Sequence, residues 1–348
     1  MPVKPAVSIL LCLYLSLHAS NAWSSDACST RAIVTAADVM VSDGSTFKTE
    51  SFFHSKDSAA IKHLYEQERM IVVEGPMGWT STGGVSNRGE DFHKDFALGH
   101  QIHAFLLHFE EIVTNARRSE QIQFHGNVYP AVSGDRPYGG RAHLIQGDDG
   151  KRPIGLLFEP AEAAPISMTF LDWRELDGDM LPFHVRIDDG ERVFDYHYTS
   201  IDLSPKSPLW FFEAAGSPDI DEVQIYRVHR KLLAAHCLGN AALMAELSAP
   251  GITLASRGDL VRTSNDAMRE RFTSLFEQLD YTGYQDIATP IIESSPNSDL
   301  GWIWVNVRAV GSEVSTGQSF DNQWAWVMLL KKIDDKWLHV GNASNIAE

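Results

Sequence analysis

The run LGWIWVNVRAV (residues 300–310), followed by WAWVMLLKKIDDKWLHVGNASN (324–345), reads as three long strands whose parity decides how the chain ends. Trp302, Trp304, Asn306 and Arg308 share one side of the first strand, and Ile303, Val305 and Val307 the other. Trp324, Trp326 and Met328 repeat the spacing on an expected neighbour. Flat rings beside a few hydrogen-bonding groups make a wall for a small molecule. The same residue types mark surfaces where sheets pair into dimers. The pocket is the favoured reading, and the orientation of Trp304 separates the two. Asn342 and Asn345 are weaker candidates of the same kind, and Asn342-Ala343-Ser344 is a glycosylation sequon.

Upstream, HRKLLAAHCLGNAALMAELSAPG (229–251) places Leu232, Leu233, His236, Leu243, Met244 and Leu247 on one helical face, with Pro250-Gly251 as a stop. A hairpin around Arg257-Gly258-Asp259 comes next. Thr263 or Ser264 then caps a second helix carrying Met268, Phe272, Leu275, Phe276 and Leu279. Helices followed by a run of strands give an α+β pattern.

With HCLGNAALMAEL (236–247), ITLASRGDLVRTSNDAMRERFTSLF (252–276) and the two closing strings, residues 229–348 resemble the SnoaL-like branch of the nuclear transport factor 2 and ketosteroid isomerase-like superfamily. The final hairpin, with its lysine-rich turn followed by Asp, Lys and Trp, carries much of that resemblance. It implies an NTF2-like cone, a curved antiparallel sheet wrapped on helices around a largely apolar cavity. Members of the superfamily isomerise, dehydrate, cyclise, bind or only associate, so the chemistry must come from the site. The carboxylate base and Tyr–acid pair of an isomerase are not assigned here: Tyr281 and Tyr284 follow the second helix, and Asp259 reads as a turn residue. His236, on the apolar helical face, is the interior candidate for a general base or a ligand-orienting donor.

Residues 70–228 are written in another grammar, short β-rich runs such as IHAFLLHFEEIV, RAHLIQG, LPFHVRI and PLWFFEA between turns such as GDDG (147–150) and DDG (188–190). They predict a β-rich sandwich or barrel domain. Residues 23–69 read as an extended lead-in with one short helix over SKDSAAIKHLYEQE (55–68). Residues 1–22 read as a signal peptide: Lys4, an apolar run AVSILLCLYLSL (6–17) too short to span a bilayer, and small residues before a cut after Ala22. The expectation is a periplasmic or secreted protein with no stable membrane span after cleavage. Cys12 leaves with the leader, and Cys28 and Cys237 are then free to join in one disulfide or to stay apart.

A net charge of −17 without a basic cluster excludes a nucleic-acid partner. Histidines crowd the middle of the chain, at 93, 100, 103, 108, 125, 143, 184 and 197, but no His-x-His pair, Cys ligand or HExxH motif accompanies them, and no metal site is assigned. No nucleophile elbow or phosphate loop is present, and no cofactor is called for. The site residues are therefore His236, Trp302, Trp304, Asn306, Arg308, Trp324 and Trp326, binding a small apolar or amphipathic molecule. The alternatives are a lyase or isomerase working by proton transfer, with His236 as base and Arg308 stabilising the anion, and a ligand-free homodimerisation module.

Overall fold

The computed structural model describes residues 28, 30–147, 152–161, 163–256 and 258–346; the expected leader lies outside them, as does most of the GDDG turn. Among the described residues the strands form a thirteen-stranded sheet, a seven-stranded sheet and one short two-stranded pair. Six helices accompany them: α1 (Asp91–Gly99), α2 (Ile102–Ile112), α3 (Trp210–Ala214), α4 (Asp221–Cys237), α5 (Ala241–Glu246) and α6 (Asn265–Gln278). Strand is the main secondary structure among the described residues. None of these helices is long and apolar enough to cross a membrane.

The larger sheet is two antiparallel meanders joined at the pairing of Ile33–Val41 with Val193–Asp202. One meander steps outward to an edge strand, Val85–Gly89, and the other to an edge at Thr114–Phe124. The two edges are not paired to each other, so the sheet is open rather than the closed barrel or two-sheet sandwich expected. Helices α1 and α2 join one edge to the other across a single face, where Leu98, Ile102 and Phe105 share a core with Val39, Phe53 and Val185.

Several sequence expectations fail here, the first because small or polar residues sit at inward positions of the lead-in. The lead-in supplies the strands Ile33–Val41, Thr46–Ser55 and Ser58–Leu64 in the sheet interior, and the last of these replaces the helix expected over 55–68. Its alternation was hidden because Thr35, Thr49 and Ser51 are buried, Thr35 and Ser51 hydrogen-bonding each other at 2.6 Å. IHAFLLHF is helix α2, not a strand, because burial on several sides erases its periodicity. PLWFFEA likewise contributes α3.

The smaller sheet runs in the order Asp259–Ser264, Ser248–Ser256, Lys336–Ile346, Ser319–Ile333, Leu300–Glu313 and Leu279–Asp286, with Ile291–Ser294 also on Leu300–Glu313. It is mixed rather than wholly antiparallel, since Ser248–Ser256 runs parallel to Lys336–Ile346. Asp334 and Asp335 both adopt positive φ at the closing hairpin, the demand of a two-residue turn of the primed type. Helices α4 and α5 bury Ile225, Leu232, Leu233 and Met244 against Ile303, Val305, Val307 and Met328 of the sheet. The single helix expected from 229 is two, broken where Gly239 takes φ +57° and Asn240 caps α5 by accepting from the Leu243 N–H at 3.0 Å. Ser264 caps α6.

Helix α4 runs through the boundary drawn at 228 and serves both sheets. Arg227 forms a bidentate pair with fully buried Glu74 of the strand Glu68–Glu74, both bonds 2.7 Å, and also donates to the Gly216 carbonyl. Tyr226 packs so tightly on Gly75, at φ +60°, that a Cβ there would lie 2.3 Å from its ring. At its far end α4 is bonded through Cys237 to Cys28, with Cα atoms 4.9 Å apart.

Candidate functional site

Antiparallel register places paired residues on the same face of a sheet. Ile303 pairs with Met328, Val305 with Trp326, and Val307 with Trp324, and this face meets the helices. Trp302 pairs with Leu329, Trp304 with Val327, Asn306 with Ala325, and Arg308 with Gln323, all on the opposite, outward face. The two tryptophan sets expected to line one wall therefore lie back to back. Trp304 is 52% exposed, which removes it and Trp302 from the interior. Arg308 is held by a bidentate pair with Asp321 at 2.7 and 2.6 Å, and Asn306 accepts from Gln323 at 3.1 Å. Neither faces an interior ligand. Alternation alone yields two faces without saying which is covered, and the pocket reading chose the wrong one for the first strand.

Trp324, Trp326 and His236 do face the helix-covered interior. His236 donates Nδ1–H to the Leu232 carbonyl at 2.8 Å and stacks on Tyr284 with centroids 4.1 Å apart. The rings of Phe272, Phe276 and Tyr281 meet it edge-on at 5.6, 5.8 and 5.5 Å. Burial pushes its imidazole down to about 4, so it stays neutral near pH 7. Asn342, opposite Met328, lies on this inner side, whereas Asn345 pairs with Ala325 on the outer one.

The centre of the interior is a residue that the sequence reading passed over. His229 is fully buried, and its Nε2–H donates to Asp286 Oδ1 at 2.8 Å. Its Nδ1 has no partner and no contact with solvent. Asp286 is brought there by the strand Leu279–Asp286, opposite Val307 on the inner face, with the Arg230 guanidinium 3.6 Å from Oδ2. Burial pushes its carboxyl up, but His229 and Arg230 outweigh that and hold it below the usual range. Trp326 approaches the His229 ring at 6.0 Å, edge to face. A signal for His229 existed: it stands seven residues before His236, two turns along the same stripe of α4. The helix expected from the sequence starts at this residue, so no preceding turn sets its place on the stripe. Asp286, 57 residues away, carried no local signal.

The histidines of the larger sheet go separate ways. His93 accepts from the Glu90 N–H, closing a capping box, while His103 bonds the Pro182 carbonyl at 3.0 Å. His143 bridges Ser133 and Glu159, and His184 bonds Asp195 at 2.7 Å while stacking on His197. Among the described residues no group of three or more His, Cys, Asp or Glu side chains is placed to hold a metal ion.

No family model matches the sequence, and no curated protein matches it. Solved structures similar to part of the chain include a ketosteroid isomerase-like protein from Erwinia carotovora atroseptica SCRI1043, at 13% identity and TM-score 0.32, covering 37% of this chain and 98% of that one. A nuclear transport factor 2-like protein from Salmonella enterica serovar Typhimurium LT2 is similar at 12% identity and TM-score 0.33, over 37% of this chain and 92% of that one. A LolA superfamily protein from Nitrosomonas europaea is similar at 11% identity and TM-score 0.39, over 53% of this chain and 90% of that one. The chain is thus similar, over a little more than a third of its length, to solved NTF2-like and ketosteroid isomerase-like proteins.

Proposed function

We propose that the smaller sheet and its helices form the α+β cone anticipated from the sequence, and that this unit binds a small apolar or amphipathic molecule on which His229 performs proton transfer. One observation carries the reading. Asp286 takes the Nε2–H of His229, which fixes the tautomer and leaves the Nδ1 lone pair unpartnered in an aromatic interior. A buried acceptor left unpaired costs about 1–3 kcal/mol, a penalty that a ligand proton can remove. Trp324, Trp326 and Tyr284 supply apolar walls, and neutral His236 supplies a second polar group two turns away. Entry is through α6, whose one fully buried residue is Met268 and whose Phe272 and Phe276 rest on His236.

The test uses cyclic ketones such as 2-tetralone in deuterium oxide, with loss of the proton next to the carbonyl followed by NMR and binding by tryptophan fluorescence. Exchange above the buffer rate, falling at least about tenfold in His229→Gln while the Trp326-dependent quenching persists, is the expected result. Quenching without exchange reduces the role to binding alone. Neither signal from any ketone overturns the reading.

The outward stripe favours a homodimer built on the smaller sheet as well. Trp304, Leu329 and Ile291 are 52%, 48% and 60% exposed and adjoin across the pairing strands. Trp304→Arg is expected to turn a sedimenting dimer into a monomer with an unchanged melting temperature; a wild-type monomer at micromolar concentration removes the dimer. We also place the chain in an oxidising, extracytoplasmic compartment, a reading supported by the apolar run at 6–17 and the Cys28–Cys237 bond. Cell fractionation of tagged protein checks it, and recovery in the cytoplasm refutes it.

A further inference from the structure

Between the two sheets lies a cleft of about 500 Å³ whose walls are unpaired strand edges. One wall is Val85–Gly89, the terminal strand of the larger sheet, and the other is Ile291–Ser294 of the smaller sheet. The two-residue turn Gly83-Gly84, both at positive φ, makes Thr82 and Val85 a hydrogen-bonded pair. Alternation from there directs the backbone N–H and C=O groups of Ser86 and Arg88 away from the sheet. The Ser295 N–H to Leu300 carbonyl bond, 2.8 Å, sets the phase of the other wall in the same way. It turns the backbone of Ile292 and Ser294 outward. Among the described residues neither edge has a strand partner.

The floor is the first turn of α4. Glu222 accepts from Ser294 Oγ at 2.8 Å and ion-pairs with Arg88, so one carboxylate spans the two walls. The partnership is unequal: the Glu222 side chain is 15% exposed and that of Arg88 is 71% exposed. The contact also lacks hydrogen-bond alignment at Oε2. A mostly buried anion is thus served by a solvent-borne cation, and a second cation can take or share its place. Asp219 adds exposed negative charge at the rim. Adjoining the cleft is a side pocket of about 260 Å³ walled by Met77, Val223 and Ile292, large enough for one aliphatic side chain.

We propose that this cleft docks an extended polypeptide segment that pairs as a strand with the free edge at Ser86 and Arg88. Main-chain bonds hold such a segment, and pockets reading every second side chain select it. The chemistry here asks for a basic residue against Glu222 and Asp219 and an aliphatic residue two positions away, in the Met77 pocket. The proposal stands independently of proton transfer at His229.

The experiment titrates the full chain into a fluorescein-labelled octapeptide, Ser-Val-Ser-Lys-Ser-Val-Ser-Lys, followed by anisotropy. Three changes are each expected to weaken binding at least about tenfold: Glu in place of both Lys, backbone N-methylation of alternate residues, and Ser86→Pro in the protein. Ser86→Pro removes one outward N–H at an edge where proline is tolerated, and an unchanged melting temperature certifies its fold. Amide exchange over residues 85–89 is expected to slow on binding. No binding up to about 1 mM peptide overturns the proposal. So does binding indifferent to both N-methylation and Ser86→Pro, since that reports charge attraction without strand pairing.

Discussion

Acidification from about pH 6.5 to about pH 4.5 is expected to unfold the protein. His63, His103 and His339 are at most 7% exposed, and burial pushes their imidazoles down from 6.5 to about 3, 4 and 4. For His63 the nearby His100 and Arg69 act in the same direction, while carbonyl bonds at His103 and His339 only partly oppose burial. In the unfolded chain each titrates near 6.5. Between that value and the folded one the unfolded state binds more protons, so stability rises with pH there and is lost as pH falls. Each group withdraws up to about 1.4 kcal/mol per pH unit. Over two units the three together withdraw on the order of 8 kcal/mol, comparable to the whole stability of a typical domain. His54, His100 and His236, all held below 6.5 chiefly by burial, add to the same trend. Urea midpoints in one-unit steps from about pH 7.5 to 4.5 check this, and a flat profile across that window refutes it.

Breaking the Glu74–Arg227 pair is expected to cost about 3–5 kcal/mol, whichever partner is removed. Glu74→Ala strands a guanidinium that is 7% exposed, leaving it the Gly216 carbonyl, while Trp79 loses the acceptor of its indole N–H at 3.3 Å. Arg227→Ala strands a carboxylate with no exposure at all. Both changes strike where the larger sheet meets the helix that carries the interior of the smaller one, so one cooperative transition should move as a whole. The double variant Glu74→Leu/Arg227→Met separates packing from charge. Replacing a buried pair by apolar residues of similar volume is often neutral or better, so the double variant should be more stable than either single one. Urea unfolding of the four proteins decides it. A double variant as unstable as the sum of the singles means that the contact acts through shape rather than charge.

The legible part of the fold was the part with strong local periodicity. The strands at 300–310 and 324–345 and the capped helix α6 show their spacing openly, because each turns one regular apolar set toward the core. Pro250-Gly251, expected to stop the helix, lies instead inside the strand Ser248–Ser256, α5 having ended at Glu246. Ile33–Val41 and its neighbours were not legible, because their inward positions hold Thr, Ser and Ala that satisfy one another only after the strands pair. Helix α2 was misread for the opposite reason, being apolar nearly all round.

The candidate site divides along the same line. Composition and charge by themselves set the expectation against a nucleic-acid partner, and helical spacing by itself places His236 on the inner face of α4. Alternation by itself separates Trp302 and Trp304 from Ile303 and Val305. Only the tertiary structure decides which of those two faces is covered, because a strand's period of two is symmetric until helices bury one side. Only it brings Asp286 to His229 across 57 residues, and Glu74 to Arg227 across 153. Such pairs leave no periodic trace, since a hydrogen bond is set by distance in space and a sequence records distance only along the chain.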